Sequence, residues 1–403
     1  MSADFEVIVV GGGPAGASCA LELASAGVEV ALLEKESIPR FKLCAGGLSS
    51  RAKDLLGLDV TPSILNEVEA IEFLGHHRVR LRKDSPAIFG WVVDRERFDA
   101  LIVEEARKAG CIVFEKSAVE TINLREKEAK LTCKGGAAFG ARAVVGADGA
   151  RSLIRRVLGI ERLAKRGVTV MFALEPKGVG AALAPPERQT GAASSTPTIG
   201  DNVIRLDFGV IPWGYVWVFP YGGKLSVGAM TSKSRLPDAK RRVLEYVAQN
   251  EALATRFNTR FLGGCTVPFW TRERSQGRAN CILAGDAAGL VDAFIGEGLT
   301  WAIKSGRLAA SAILAARKST SSCRHLHSEY LRLLNREILP ELRRAYWFGR
   351  AAYKYPEFVF RSVSRLARDA DLFGEIAKAN QSYRSLIVRV LKQLVWPKGY
   401  NAR

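Results

Sequence analysis

The sequence has no C-x-x-C pair, although it holds seven cysteines. Cys19, Cys44, Cys111, Cys133, Cys265, Cys281 and Cys323 are odd in number and scattered, which argues against a disulfide framework or a zinc site and suits a reducing cytosol. No stretch of 18 or more apolar residues lacks a charge, so no bilayer-spanning helix is expected. The chain enters its first apolar run within a few residues and leaves no room for a signal peptide. Histidine is scarce. His76, His77, His325 and His327 all fall outside the motifs described below, so histidine acid catalysis is not expected. Internal repeats and low-complexity tracts are missing, and the nearest thing to a flexible linker is the Ala/Ser/Thr/Pro stretch at 181–200. Acidic residues are short in supply: 41 Asp and Glu against 59 Lys and Arg leave a net charge of +18. That imbalance suggests an anionic partner, whether membrane surface, nucleic acid or phosphorylated substrate.

What is present starts with ordinary bulk. A chain of 403 residues, 48% hydrophobic and 25% charged, can build two domains around a sizeable core. Within the first strand, Phe5 to Val10, the run Val7-Ile8-Val9-Val10 is short, apolar and β-branched, as a strand buried on both faces should be. Gly11, Gly13 and Gly16 follow on the G-x-G-x-x-G spacing. Gly11 permits a tight turn, Gly13 admits a pyrophosphate, and Gly16 lets the next helix pack on the strand. A helix from about Ala15 to Ala26 aims its N-terminal N–H groups at the phosphates. A second strand, Glu29 to Leu33, ends in Glu34, about 20 residues past the glycines, where an acid accepts from ribose hydroxyls. Glycines, helix, strand and acid in this order make a dinucleotide-binding unit.

Further along, Pro39 to Gly47 reads as a loop. Cys44 lies near Arg40 and Lys42, and is either a reactive thiol or a small buried residue. Residues 51–93 are mixed in texture. Asp94 to Asp99 opens a helix to about Lys108, capped by Gly110, and a strand Cys111 to Phe114 follows. A hairpin or meander is expected at 118–124 and 129–133, and a buried strand from Ala143 ends in Gly146-Ala147-Asp148-Gly149. From about 166 to 270 alternating strands dominate: Val203 to Val210, Tyr215 to Phe219 and Lys224 to Met230, the last pair turned by Tyr221-Gly222-Gly223. Tyr215, Trp217 and Phe219 share one face, which is either core or the wall of an apolar cavity. Cys281 to Ala284 is again a buried strand, ending in Gly285-Asp286. Gly296 and Gly298 then flank the start of a helix from Leu299 to about Ala316. The tail from Arg324 is helical and holds sixteen Lys and Arg against seven Asp and Glu, half the net charge in a fifth of the chain. Its interleaved aromatics suit an anionic membrane interface, or else a helical layer with a solvated basic face.

Three segments together resemble the FAD-binding flavoprotein superfamily of p-hydroxybenzoate hydroxylase: the glycines at 11–16, Gly146-Ala147-Asp148-Gly149 and Gly285-Asp286. Within it the chain looks most like the geranylgeranyl reductase family. Four stretches carry this: Lys42 to Gly47, Asp94 to Asp99, the full P-x-x-Y-x-W-x-F-P pattern at Pro212 to Phe219-Pro220, and Gly285-Asp286-Ala287-Ala288-Gly289 through Gly296-Glu297-Gly298 to Arg307. The resemblance covers roughly residues 1–310. The chain departs from it at Asp292-Ala293-Phe294, where many relatives carry a proline.

The resemblance implies an α/β fold: a Rossmann-like FAD-binding domain at 1–165 and 276–323, an antiparallel substrate domain at 166–275, and a basic helical region at 324–403. It implies that Gly11, Gly13, Pro14, Ala15 and Gly16 hold the FAD pyrophosphate. Glu34, with Lys35 beside it, would meet the adenosine ribose, and Arg97 would lie along the cofactor. Asp148 and Gly149 would be near it, and Gly285 and Asp286 would hold its ribityl or pyrophosphate part. Gly296 and Gly298 would approach the flavin ring, with Cys44, Ala45 and Gly46 beside it. Tyr215 and Trp217 would line an isoprenoid channel and, with Cys44, form the catalytic set. The expected activity is saturation of isoprenoid C=C bonds by hydride from reduced flavin. The alternative is a flavin monooxygenase using NAD(P)H and oxygen. A third reading, an FAD-stabilised membrane- or nucleic-acid-binding protein, ranks below both, because the basic tail carries no nucleic-acid module. No second dinucleotide fingerprint is present, so the reductant is either transiently bound NAD(P)H or a ferredoxin. A cytoplasmic protein, peripheral on the inner face of a membrane, is the expected location.

Overall fold

The computed structural model describes residues 4–75, 80–84, 88–125, 128–160, 164–177, 202–271, 276–318, 325–359, 361–362, 383–384 and 387–388. The expected linker at 181–200, His76, His77, Cys323 and most of the chain after 362 lie outside the described residues.

The Phe5–Val10 strand is the centre of the first sheet. Val7, Ile8 and Val9 are each at most 1% exposed, because layers of structure cover both faces. It pairs in parallel with Val30–Leu33 on one side and Ala138–Gly146 on the other. Ile112–Phe114 extends the sheet beyond Val30–Leu33, and Cys281–Leu283 extends it beyond Ala138–Gly146, both in parallel. The Val119–Leu124 and Ala129–Cys133 strands form an antiparallel appendage on Ala138–Gly146. The return of the chain at Cys281 therefore brings Gly285-Asp286 to the same sheet end as the glycine turn. Helix Pro14–Ser25 packs against helix Leu299–Lys318. Their approach is so close that a side chain on Gly306 would strike the main chain of Ala15.

The second sheet runs Phe257–Trp270, Ala164–Pro176, Lys224–Thr231, Gly214–Tyr221, Val203–Asp207, Ala70–Leu74, Arg80–Asp84. Its pairs are antiparallel except for Val203–Asp207 on Ala70–Leu74, which is parallel. The Gly214–Tyr221 and Lys224–Thr231 strands turn through Gly222 and Gly223, both at positive φ (56° and 79°), the backbone that a tight two-residue hairpin demands. Residues 51–93, of mixed texture in sequence, thus give two strands to this sheet. A buried ion pair, Arg205 Nε to Glu72 Oε2 at 2.5 Å, crosses the parallel junction. The sheet is covered on both faces. Val216 and Val218 pack with Val243 and Val247 of helix Ala239–Gln249, while Tyr215 and Trp217 face a cluster that includes Phe208, Met230 and Val291. A small third sheet joins Gly47–Ser49, Gly90–Val93 and Ile64–Val68. Helices Leu326–Glu337 and Leu339–Lys354 form most of the described part of the tail. Among the described residues, no helix is long and apolar enough to cross a membrane.

Candidate active site

The glycine turn is a cradle. Gly11 has φ +105°, and a side chain there would strike the carbonyl of Ala147; one on Gly16 would strike the carbonyl of Gly11. Gly13 faces more open space, the nearest atom to an added Cβ being Arg40 Nη2 at 3.6 Å. Gly13 is also the N-cap of the Pro14–Ser25 helix, yet no side chain caps that end and no acid occupies its first turn. Pro14 contributes no N–H, and the free donors of Ala15 and Gly16 are left to an anion.

Glu34 is 3% exposed and bound into this turn: Oε2 accepts the Gly12 N–H at 2.8 Å and Oε1 accepts that of Glu36 at 3.1 Å. Arg40 brings Nε to 3.2 Å from Glu34 and Nη1 to 3.3 Å from Asp99. Asp99 in turn accepts from Arg95, at 2.9 and 3.0 Å. Arg95 is itself buried, so a continuous polar line runs from the glycine turn through Arg40 and Asp99 to Arg95. Arg97, expected along the cofactor, is turned outward: its side chain is 69% exposed and pairs with Asp94 at 3.7 Å. The buried arginine of that helix is Arg95. Helical phase carried the signal, since Arg95 shares a face with Phe98, Asp99 and Ile102, whereas Arg97 does not. Lys35 is likewise out in solvent, 70% exposed and paired with Glu36.

The Cys44 loop and the Tyr215 strand meet. Gly46, at φ +82°, donates its N–H to Cys44 Sγ at 3.4 Å, while Leu43 and Ala45 pack against the cluster containing Tyr215 and Trp217. Gly47 leaves room for the ring of Phe219. Tyr215 donates its hydroxyl to the Ile295 carbonyl, and Trp217 Nε1 donates to Ser226 Oγ at 3.2 Å. Burial pushes the Tyr215 phenol far up, so it stays neutral.

Opposite lies the Gly285–Gly298 segment. Gly285, at φ +57°, donates its N–H to Ser305 Oγ at 2.9 Å. Gly296, at φ +71°, is pressed against Met230 and Tyr215, and Gly298 faces Asp286. Burial pushes the Glu297 carboxyl up to about 7; the Thr300 hydroxyl, which it accepts, opposes that and Asp292 reinforces it. Asp148 is occupied locally. It accepts from Ser152 Oγ at 2.5 Å and from the N–H groups of Leu153 and Ile154 at 2.6 and 3.2 Å, so it caps the Leu153–Val157 helix that Gly149 (φ +79°) leads into. The buried Arg155 was not singled out in the sequence. It donates to the carbonyls of Ala287 at 3.1 Å and Ala150 at 2.7 Å, riveting the Asp148 and Asp286 turns together.

A family model described as an FAD binding domain matches residues 4–331. The chain is 30% identical over 329 residues to a geranylgeranyl diphosphate reductase of Rhodobacter capsulatus, covering 78% of this chain and 76% of that one. The chain belongs to the geranylgeranyl reductase family of FAD-binding flavoproteins. A digeranylgeranylglycerophospholipid reductase of Methanothermobacter thermautotrophicus aligns over 99% of this chain and 97% of its own at 26% identity. The same fold is seen in the crystal structure of a geranylgeranyl bacteriochlorophyll reductase-like protein from Thermoplasma acidophilum. It has a TM-score of 0.76 at 20% identity and covers 97% and 98% of the two chains. Like its family, the chain is an FAD-dependent oxidoreductase. The geometry fits FAD. The uncapped helix end and its glycines leave N–H donors and space for a pyrophosphate, and the sheet end that presents them also carries the Asp286 turn.

Proposed function

We propose that this protein saturates C=C bonds of an isoprenoid chain of the geranylgeranyl type, carried on a diphosphate, lipid, quinone or chlorophyll precursor. One observation carries this. The Cys44 loop and the Tyr215–Trp217 face close on each other beside the Gly296 turn, forming an apolar, aromatic wall. The names of the Rhodobacter and Methanothermobacter relatives support the substrate class.

Saturation adds a hydride to one alkene carbon and a proton to the other, while the π bond is lost. Reduced FAD supplies the hydride when bound. Gly11, Gly13, Ala15 and Gly16 would hold its pyrophosphate, Glu34 its ribose, and Asp286 with Gly296 and Gly298 its ribityl and ring portions. Tyr215 and Trp217 stack the alkene and keep water out. Cys44, on the loop that Arg40 ties to Glu34 and Asp99, is the side chain placed to deliver the proton. The line Arg95–Asp99–Arg40–Glu34 holds that loop against the cradle. NAD(P)H or a ferredoxin would re-reduce the cofactor.

The work would be done at an anionic membrane surface. Arg343, Trp347, Arg350, Lys354 and Phe358 recur every three or four residues along and just past the Leu339–Lys354 helix. Trp347, Tyr355 and Phe358 are 47%, 56% and 52% exposed, large aromatics among cations, as interfacial helices carry.

The test is anaerobic. Photoreduced holoprotein is mixed with geranylgeranyl lipid in vesicles with and without phosphatidylglycerol. Reoxidation of the flavin without oxygen supports the reading, and dependence on the anionic lipid supports the surface. Reoxidation only on admitting oxygen, with oxygen in the product, would favour the monooxygenase.

A further inference from the structure

Three tyrosines from three parts of the chain converge on the turn Asp292–Ile295. Tyr215 of the second sheet donates to the Ile295 carbonyl. Tyr353, on the Leu339–Lys354 helix, donates to the Phe294 carbonyl at 2.6 Å. Tyr383, far along the tail, donates to Asp292 Oδ2 at 2.7 Å. The other Asp292 oxygen accepts the N–H groups of Phe294 at 2.7 Å and Ile295 at 3.0 Å. Asp292 is 1% exposed, so each of these bonds forms away from competing water. The turn is tight as well as tethered: Gly296 N–H donates to the Asp292 carbonyl at 3.2 Å, and Asp292 N–H to that of Glu297 at 3.0 Å.

The tail residue is itself held. The Tyr383 N–H donates to Glu341 Oε2 at 2.9 Å, Glu341 pairs with Arg344, and the Tyr383 ring lies 5.9 Å from that of Phe348. Phe348 in turn meets Phe294 edge-on at 5.0 Å, and Gly349 leaves the space into which Phe294 fits. Without a proline in the 292–294 segment, the φ angles of this turn are not fixed by a ring. Hydrogen bonds and aromatic contacts from outside supply the constraint instead.

We propose that Tyr383 is a positioning residue for FAD: through Asp292 it fixes the turn leading into Gly296-Glu297-Gly298, which makes the C-terminal segment a working part of the cofactor site. The inference needs FAD binding but not the isoprenoid substrate, so it stands or falls separately from the proposed activity. Burial pushes both groups up, Asp292 above the ordinary carboxylate value and Tyr383 far above the ordinary phenol value, which favours a hydroxyl-to-carboxyl bond over two separated charges.

The experiment compares full-length wild type, Tyr383→Phe and the control Tyr246→Phe, on helix Ala239–Gln249 against the opposite face of the second sheet. FAD is titrated into each apo-protein, the visible spectrum of the bound flavin is recorded, and the apo-protein Tm is taken alongside. Loss of one buried hydrogen bond predicts about fivefold weaker FAD binding. In Tyr383→Phe this comes with a broadened flavin band, while Tyr246→Phe matches wild type. FAD affinity within twofold of wild type and a superimposable spectrum in Tyr383→Phe would overturn the proposal, whatever the apo-protein Tm does.

Discussion

The hydroxyl of Tyr215 donates to the main-chain carbonyl of Ile295, so the aromatic face of the second sheet is bonded directly to the turn that precedes Gly296. The phenol proton is committed to that carbonyl, and burial keeps the group neutral. Tyr215→Phe should therefore retain measurable turnover with an unchanged pH profile up to about pH 9, because an unperturbed phenol titrates near 10 and this one is displaced upward. Loss of a buried hydrogen bond should cost about 1 kcal/mol of stability, read by urea unfolding. Complete loss of activity with normal FAD content would assign the hydroxyl a direct chemical role.

Glu34 is a second point of strain if altered. Glu34→Ala removes the acceptor of the Gly12 N–H and one partner of Arg40. Charge-assisted bonds of this kind are worth roughly 2 kcal/mol, so FAD should bind at least tenfold more weakly. Equilibrium dialysis of FAD against the apo-protein checks this, and Glu34→Gln should recover part of the loss.

Gly16→Ala tests the cradle by size alone. The added methyl would collide with the Gly11 carbonyl and crowd Val9 and Ala147. The expected outcome is protein purified without yellow colour and with a lowered Tm. Gly27→Ala, by contrast, meets no neighbouring atom, although its φ of +70° costs some strain. It should retain FAD.

Much of the first sheet was legible in the sequence because its signals are local. Val7 to Val10 is a continuous β-branched run with a glycine turn behind it, and Asp94 before Arg95-Glu96 is a helix start whose side chain accepts the Glu96 N–H at 2.9 Å. The Ala70–Leu74 strand was not legible. Its parallel partner Val203–Asp207 lies about 130 residues away, and the ion pair Glu72–Arg205 that marks the junction has no local pattern. Arg95 and Arg97 carry identical chemistry and differ only in helical phase, which separates the buried one from the exposed one. The convergence of Tyr353 and Tyr383 on the Asp292–Ile295 turn needs the folded tail, and no spacing in the chain announces it.

Glu297 predicts a pH dependence. Its folded value is about 7 against an ordinary 4.5, so the folded protein holds this proton more tightly than the unfolded chain. The associated stability is fully present below about pH 4.5 and is lost as pH rises through 7. Unfolding free energies of the apo-protein between pH 4 and 8 should fall across that window in wild type and stay flatter in Glu297→Gln. Parallel curves would show that the carboxyl titrates normally.

The central claim concerns what happens to the carbon chain, and product mass measures it directly. Holoprotein reduced without oxygen is incubated in D2O buffer, in separate vessels, with geranylgeranyl diphosphate and with a menaquinone, and the extracted lipids are weighed by mass spectrometry. An isoprenoid reductase gains one hydrogen pair per saturated bond, with deuterium at the protonated carbon, in at least one vessel. No mass gain in either while the flavin stays reduced, followed by a gain of one oxygen atom once air and NAD(P)H are admitted, would contradict saturation and establish oxygenation in its place.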